Sequence, residues 1–302
     1  MHPEESPVYF DRAHGEFRRE TVLGDKWLRL AYCSPIRGLL QWSMFESAAF
    51  SRLMGWYLNT THSARKINPT IQELKIPMGE AVVPAGGFRC FNDFFARKLK
   101  PAARPLPEDS GRLASPADCR LTVYPEMQAD VVIPVKGVPF SVQELLGPEG
   151  ARFVNGLATG SLMVCRLCPA DYHRYHFPDD GVTIKYWKLR GKYHSVNPIA
   201  LEKGFKVFAE NLRTVRMMKL AHAKDPCAMI CVGAFGVASI NDHQRAEFQR
   251  GDEAGFFTFG GSTVIMVFPP DTIRFDEDLV ENSAKGVETL VKANSAIGKW
   301  LN

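Results

Sequence analysis

The stretch Phe256-Phe257-Thr258-Phe259-Gly260-Gly261-Ser262-Thr263-Val264-Ile265-Met266-Val267-Phe268 decides how the chain is read. β-Branched and aromatic residues crowd both flanks, so each flank reads as a buried strand. Between them two successive residues lack a Cβ, which opens backbone conformations closed to other residues. A hydroxyl follows at once. The plain reading is a Gly-Gly turn or bulge between two strands. The chemical reading is that Ser262 Oγ attacks the carbonyl of Gly261, its own upstream neighbour. Spacing alone favours the turn, because such dipeptides are common loop punctuation.

Two other stretches shift that balance. Ser115-Pro116-Ala117-Asp118 supplies an acid, and Asp171-Tyr172-His173-Arg174-Tyr175-His176-Phe177-Pro178 supplies a base. Each has an ordinary explanation: Asp118 caps a turn after Pro116, and His176 is a buried, hydrogen-bonded histidine. In combination with Ser262 they resemble the phosphatidylserine decarboxylases, whose pattern is S-P-x-D, then D-Y-H-R-x-H-x-P, then G-S-T after an aromatic-rich strand. The resemblance extends to Phe91-Asn92-Asp93-Phe94-Phe95-Ala96-Arg97-Lys98-Leu99-Lys100-Pro101 with Arg104-Pro105, and to Lys136-Gly137-Val138-Pro139-Phe140-Ser141 with Leu145-Leu146-Gly147. Ser195-Val196-Asn197-Pro198 and Val232-Gly233-Ala234 also match. Two departures stand out. Gly260 precedes Gly261 where many members have Leu, as in one bacterial branch. Cys119 stands where Gly usually follows the motif aspartate, which puts the geometry beside Asp118 in question.

A serine hydroxyl is a weak nucleophile until a base takes its proton. A neutral histidine does that near pH 7, and an aspartate behind it fixes the tautomer. Ser262, His176 and Asp118 take those roles here. The resemblance implies the target: an N-to-O acyl shift at Gly261-Ser262, then β-elimination, leaving chains 1–261 and 262–302. It also implies the cofactor, a covalent pyruvoyl group made from Ser262, which binds the substrate amine and accepts electrons as carbon dioxide leaves. His173 is placed near the substrate, as proton donor or carboxylate partner. Phosphatidylserine converted to phosphatidylethanolamine is the default substrate. A free amino acid such as tryptophan is the alternative. A Ser-His-Asp hydrolase is a reading from another class, weakened because G-x-S-x-G is absent around Ser262. A non-catalytic lipid-binding module would leave the motifs unexplained.

Composition narrows the rest. The 302 residues are 45% hydrophobic, enough for a full core in one or two domains. A net charge of +4 is too small to argue for nucleic acid, and no nucleic-acid motif appears. Between Arg12 and Arg104 basic residues outnumber acidic ones roughly two to one, which suits an anionic bilayer surface. Seven scattered cysteines favour reduced thiols over a disulfide framework. Cys165-x-x-Cys168 lies in a strand pattern that sends the two thiols to opposite faces, and His173-x-x-His176 lacks a ligand partner, so no metal is expected. The start lacks a signal-peptide pattern, and no apolar run is long enough to span a bilayer.

The expected fold is α+β. Residues 1–104 form an N-terminal helical, membrane-associating region, and 105–302 a mostly antiparallel sandwich or partly closed barrel. A strand pair, then a helix, is one reading of residues 4–30. Residues 35–58 read as a helix capped at Ser34, with Trp42 and Trp56 at headgroup level, although a core helix fits the same pattern. Short helices are expected at 70–75, at 91–99 with Asn92 as cap, and at 141–146. Strands are expected at 121–124, 130–135, 162–167, 182–187, 205–208 and 228–232. Residues 279–297 have helical spacing, but 288–292 match a strand-like family segment, so both readings stand. The expected setting is peripheral, on the cytoplasmic face of the cell membrane, with the two chains associated and a homodimer left open.

Overall fold

The computed structural model describes residues 7–21, 48–127, 133–135, 138–194, 206–234, 240–259 and 262–301. Its centre is a sheet of ten described strands. In order across the sheet these are Glu247–Phe248, Gly181–Leu189, Arg213–Leu220, Cys227–Gly233, Ser262–Phe268, Ser161–Leu167, Cys119–Tyr124, Glu288–Val291, Val8–Asp11 and Glu16–Arg19. Every pairing is antiparallel except that of Val8–Asp11 with Glu288–Val291. The sheet is open, so the expected barrel closure is not found, while the mixed, mainly antiparallel class is.

The central strands are apolar at nearly every position because both of their faces are covered. In Ser161–Leu167 and Ser262–Phe268 all seven residues are buried. Met163, Cys165, Val264 and Met266 face one core, shared with Tyr175, Phe257, Phe275 and Trp300 from two small three-stranded sheets. That layer is the sandwich component. Leu162, Val164, Ile265 and Val267 face the other core, roofed by Phe140, Leu145, Leu146, Leu157 and Phe208. Burying each of these large side chains contributes roughly 1.5–3 kcal/mol.

The helix Val142–Leu146 starts with a full capping box, in which Ser141 Oγ accepts from Glu144 N and Glu144 returns the bond to Ser141 N. It ends at Gly147, whose φ of 67° and close approach to Leu189 exclude a Cβ. Residues 279–297 hold both of the readings left open: a helix Glu277–Ala284, then strands Glu288–Val291 and Ala296–Trp300.

Two local expectations fail. Residues 205–208 read as a strand, yet the described part is a single helical turn, Val207–Glu210, with Phe208 plugged against Phe140. So short an apolar run has no period long enough to separate the two states. Asn92 is not a cap either. Cys90 holds that position ahead of the helix Phe91–Phe95, and the Asn92 side chain is engaged elsewhere.

Between the hairpin Val8–Asp11/Glu16–Arg19 and the later sheet strands, Ile67–Leu74 is helical and stops at Lys75 in the left-handed region, just before Pro77. Ala48–Leu58 is also helical. Leu58 is buried against Phe91, Phe94 and Phe95, whereas Leu53 and Trp56 are 60% and 67% exposed. The expected cap at Ser34, the Trp42 anchor and residues 22–30 of the stretch read as a strand pair and then a helix lie outside the described residues, as do 130–132 of an expected strand. The hairpin Val8–Asp11 and Glu16–Arg19 agrees with the expected strand pair, and it adds residues from before Arg104 to the large sheet. No described helix is long and apolar enough to cross a membrane.

Candidate active site

Ser262 is the first residue of its strand, paired with Gly233 on one side and Leu167 on the other. It is fully buried, and among the described residues its Oγ has no hydrogen-bond partner. Side-chain alternation puts it on the same face as Val264 and Met266, the face covered by the layer that carries Arg174–His176. Thr263 takes the opposite face, also buried with its hydroxyl unpartnered. Gly260 and Gly261 lie outside the described residues.

The chain leading to that step is held on two sides. Phe257 N donates to His173 O at 2.9 Å, and Phe259 N donates to Asn92 Oδ1 at 3.1 Å. Asn92 is itself oriented by donating from Nδ2 to Asn59 Oδ1 at 3.0 Å. The Phe259 ring packs edge-on against Phe91 and Phe95, each at 5.2 Å. The aromatic helix therefore positions the approach to Ser262, a role that its sequence did not announce.

Both motif histidines are neutral by environment. His173 is fully buried and tilted against the Phe95 ring at 3.8 Å. Burial, with the nearby Arg97 charge, pushes its pKa down to about 3. Its Nδ1–H donates to Asp171 O at 2.9 Å, and its Nε2 is buried without a partner. His176 is likewise lowered by burial, partly offset by the Gly251 carbonyl and the charges of Glu253 and Asp118. Its Nδ1–H donates to Gly251 O at 3.0 Å, leaving a bare Nε2. Each ring is thus fixed in the tautomer that offers a lone pair at Nε2.

Asp118 does not sit behind His176 as a bonded partner. Its carboxylate takes Arg104 Nε and Nη2 at 2.7 and 2.6 Å and Ala293 N at 2.8 Å, with Lys292 Nζ at 3.5 Å. Burial alone would raise its pKa, but these donors outweigh burial and hold it low. The tautomer-fixing contact belongs to the Gly251 carbonyl instead. The S-P-x-D loop still touches the histidine strand, since His176 N donates to Pro116 O at 2.8 Å. Asp118 reaches His176 by charge rather than by contact. Cys119 opens the strand Cys119–Tyr124 as a buried core residue, so its side chain is accommodated there. Cys165 belongs to the same core, while the Cys168 thiol lies between Arg166 and Glu20.

With this geometry in place, comparison with known proteins is decisive. The sequence model described as phosphatidylserine decarboxylase matches residues 91–299. The chain belongs to the phosphatidylserine decarboxylase family. It is 39% identical over 292 residues to a phosphatidylserine decarboxylase proenzyme of Clostridium botulinum strain Hall, covering 96% of this chain and 98% of that one. It is 40% identical over 294 residues to the proenzyme of Clostridium novyi, covering 97% and 99%. Against the proenzyme of Desulfitobacterium hafniense DCB-2 the identity is 38% over 295 residues, covering 96% and 97%. In this family member the roles that sequence reasoning missed fall to Arg104, Asn92 and the Gly251 carbonyl. The first two lie inside matched motif segments, which was the available signal. A backbone carbonyl leaves none.

Proposed function

We propose that this phosphatidylserine decarboxylase matures by cutting its own chain between Gly261 and Ser262. The observation that carries the reading is the buried, unpartnered Ser262 Oγ, on the sheet face covered by the histidine layer and preceded by a doubly held segment. His176 Nε2 takes the Ser262 hydroxyl proton as Oγ attacks the Gly261 carbonyl. The acyl group moves from nitrogen to oxygen, and the ester is then lost by β-elimination. Hydrolysis of the resulting dehydroalanine releases ammonia. Asp118 supports the imidazolium by its charge, and through Arg104 and Ala293 it keeps the Pro116 loop in place.

A pyruvoyl group fits this position because its three carbons are those of Ser262 itself, at the head of a strand held on both edges. Once formed, it supplies the electron sink for decarboxylation of the substrate amine. His173 Nε2, an open lone pair, is the atom assigned to take a proton from the incoming substrate ammonium and pass it to the substrate α-carbon, within an apolar wall that includes Phe95. Ser262–Phe268 lies between two strands of the 1–261 chain, which supports continued association of the two products. Exposed Leu53 and Trp56 support docking of the 1–104 region on an anionic bilayer carrying the lipid, with 105–302 as the catalytic part.

Intact mass measurement under denaturing conditions tests the maturation step. Two chains divided at Ser262 are expected, the smaller lighter by one ammonia than plain hydrolysis gives. Ser262→Ala is expected to remain one chain without activity. A two-chain product from that variant would overturn the assignment.

A further inference from the structure

Arg97 follows the helix Phe91–Phe95 and is 4% exposed. Its Nη2 donates to the carbonyl oxygens of Ala170 and Asp171, each at 3.1 Å. Among the described residues its buried Nη1 has no partner, and no carboxylate forms an ion pair with it. The two carboxylates whose charge reaches it are Asp171 and Asp118. Both are already occupied, Asp171 by Arg120 at 3.2 Å and Asp118 by Arg104 at 2.6 Å. A guanidinium stays charged, and an interior charge lacking a counter-ion is strongly unfavourable.

The surroundings say what such a group is for. The Asp171 carbonyl that accepts from Arg97 also accepts from His173 Nδ1. Arg97 and His173 therefore meet on one oxygen, and each keeps one buried nitrogen free, Nη1 and Nε2. Phe94 lies under the guanidinium at 5.4 Å, and Phe95 contacts both His173 and Phe259. A charged donor and a neutral imidazole thus stand side by side against an apolar wall, next to the segment that enters Ser262.

We propose that Arg97 Nη1 binds a phosphodiester oxygen of the substrate lipid and so sets the headgroup α-carbon before His173. The proposal rests on the phosphatidylserine decarboxylase reading. The headgroup offers two anions, a carboxylate and a phosphodiester. A guanidinium on the carboxylate would stabilise the charge that must leave as carbon dioxide, favouring the ground state over the transition state. The phosphodiester charge is the same throughout the reaction, so a contact there strengthens binding without opposing chemistry. Its loss is read mainly in KM. Arginine also presents the planar fork that suits phosphate oxygens.

The test compares wild type, Arg97→Gln and Arg97→Lys after maturation. Self-cutting is followed on denaturing gels, carbon dioxide release is measured with dihexanoyl phosphatidylserine, and dihexanoyl phosphatidylethanolamine is the inhibitor that keeps the phosphodiester but lacks the carboxylate. Both variants are expected to cut. In Arg97→Gln, KM for the substrate and the inhibition constant of the ethanolamine lipid are expected to rise together, by about tenfold or more, with kcat changing much less. Arg97→Lys is expected to fall between. An unchanged inhibition constant would overturn the proposal, since it would put Arg97 on the carboxylate or on nothing. Failure of both variants to cut would also overturn it, by assigning Arg97 to maturation. If the wild type released no carbon dioxide from the lipid, the activity reading itself would fail, an outcome distinct from the other two.

Discussion

The clamp between Arg104 and Asp118 gives the sharpest test of how the acid of the site works. Asp118→Asn removes a charge that holds two Arg104 bonds and leaves a guanidinium with 9% side-chain exposure. Breaking a buried pair by deleting one partner costs about 3–5 kcal/mol. Arg104 keeps Glu80 at 3.0 Å, a partner 40% exposed, so the lower end, about 3 kcal/mol, is expected. For a chain of 302 residues that is a fall of roughly 5 °C in melting temperature. The measurement belongs in a Ser262→Ala background, where every molecule stays uncut. Arg104→Gln and the double variant complete the cycle, and the double is expected to cost about 2 kcal/mol less than the sum of the singles. In the Ser262 background, Asp118→Asn is expected to slow cutting as well. If Asp118→Asn left the melting temperature unchanged while abolishing cutting, the clamp would be irrelevant. Asp118 would then act directly on His176.

Three further outcomes are expected. The folded-state pKa of His173 lies near 3, below its unfolded value near 6.5, so the unfolded chain binds the extra proton first. Stability in the Ser262→Ala background is therefore full above pH 6.5 and declines as pH falls toward 3. His173→Gln should flatten that slope by up to about 1.4 kcal/mol per pH unit, read by urea denaturation; an unaltered slope would exclude His173 as its source. Asn92→Ala leaves the Phe259 N–H without its acceptor, at about 1–3 kcal/mol, and should slow cutting about tenfold on a gel time course; cutting at the wild-type rate would show that this anchor does not position the step. Leu53→Glu with Trp56→Glu should reduce co-sedimentation with anionic liposomes without lowering the melting temperature, whereas unchanged binding would remove this helix face from the membrane contact.

Two central strands were legible because Val264-Ile265-Met266-Val267 and Leu162-Met163-Val164-Cys165 have no polar residue to mislead the pattern, whereas the equally covered Arg213–Leu220 was not, since Arg213, Thr214, Arg216 and Lys219 interrupt its apolar run. The short helix expected at 141–146 is found as Val142–Leu146, and its capping box came to light only in the structure. Sheet order was not legible, since the parallel joining of Val8–Asp11 to Glu288–Val291 links residues from opposite ends of the chain and no local signal carries it. The residue types of the site were legible as motifs, but their wiring was not. Asp118, His176 and Ser262 imply a relay by analogy. That analogy does not show that Arg104 occupies the Asp118 carboxylate or that the Gly251 carbonyl accepts from the His176 Nδ1–H. Competition among hydrogen-bond partners is settled by tertiary distances, which spacing along the chain does not encode.

With the cut proposed between Gly261 and Ser262, the insertion of Ser262–Phe268 between Cys227–Gly233 and Ser161–Leu167 makes maturation a one-way passage for folding. Before the cut, residues 262–302 are tethered to the rest and find their sheet neighbours at the high effective concentration that a covalent link gives. Afterwards the same strands are held only by hydrogen bonds and packing, and reassembly from separated chains becomes a bimolecular search. A mature molecule that once comes apart has forfeited the connectivity under which it folded, so its lifetime is governed by the rate of strand withdrawal rather than by a reversible balance.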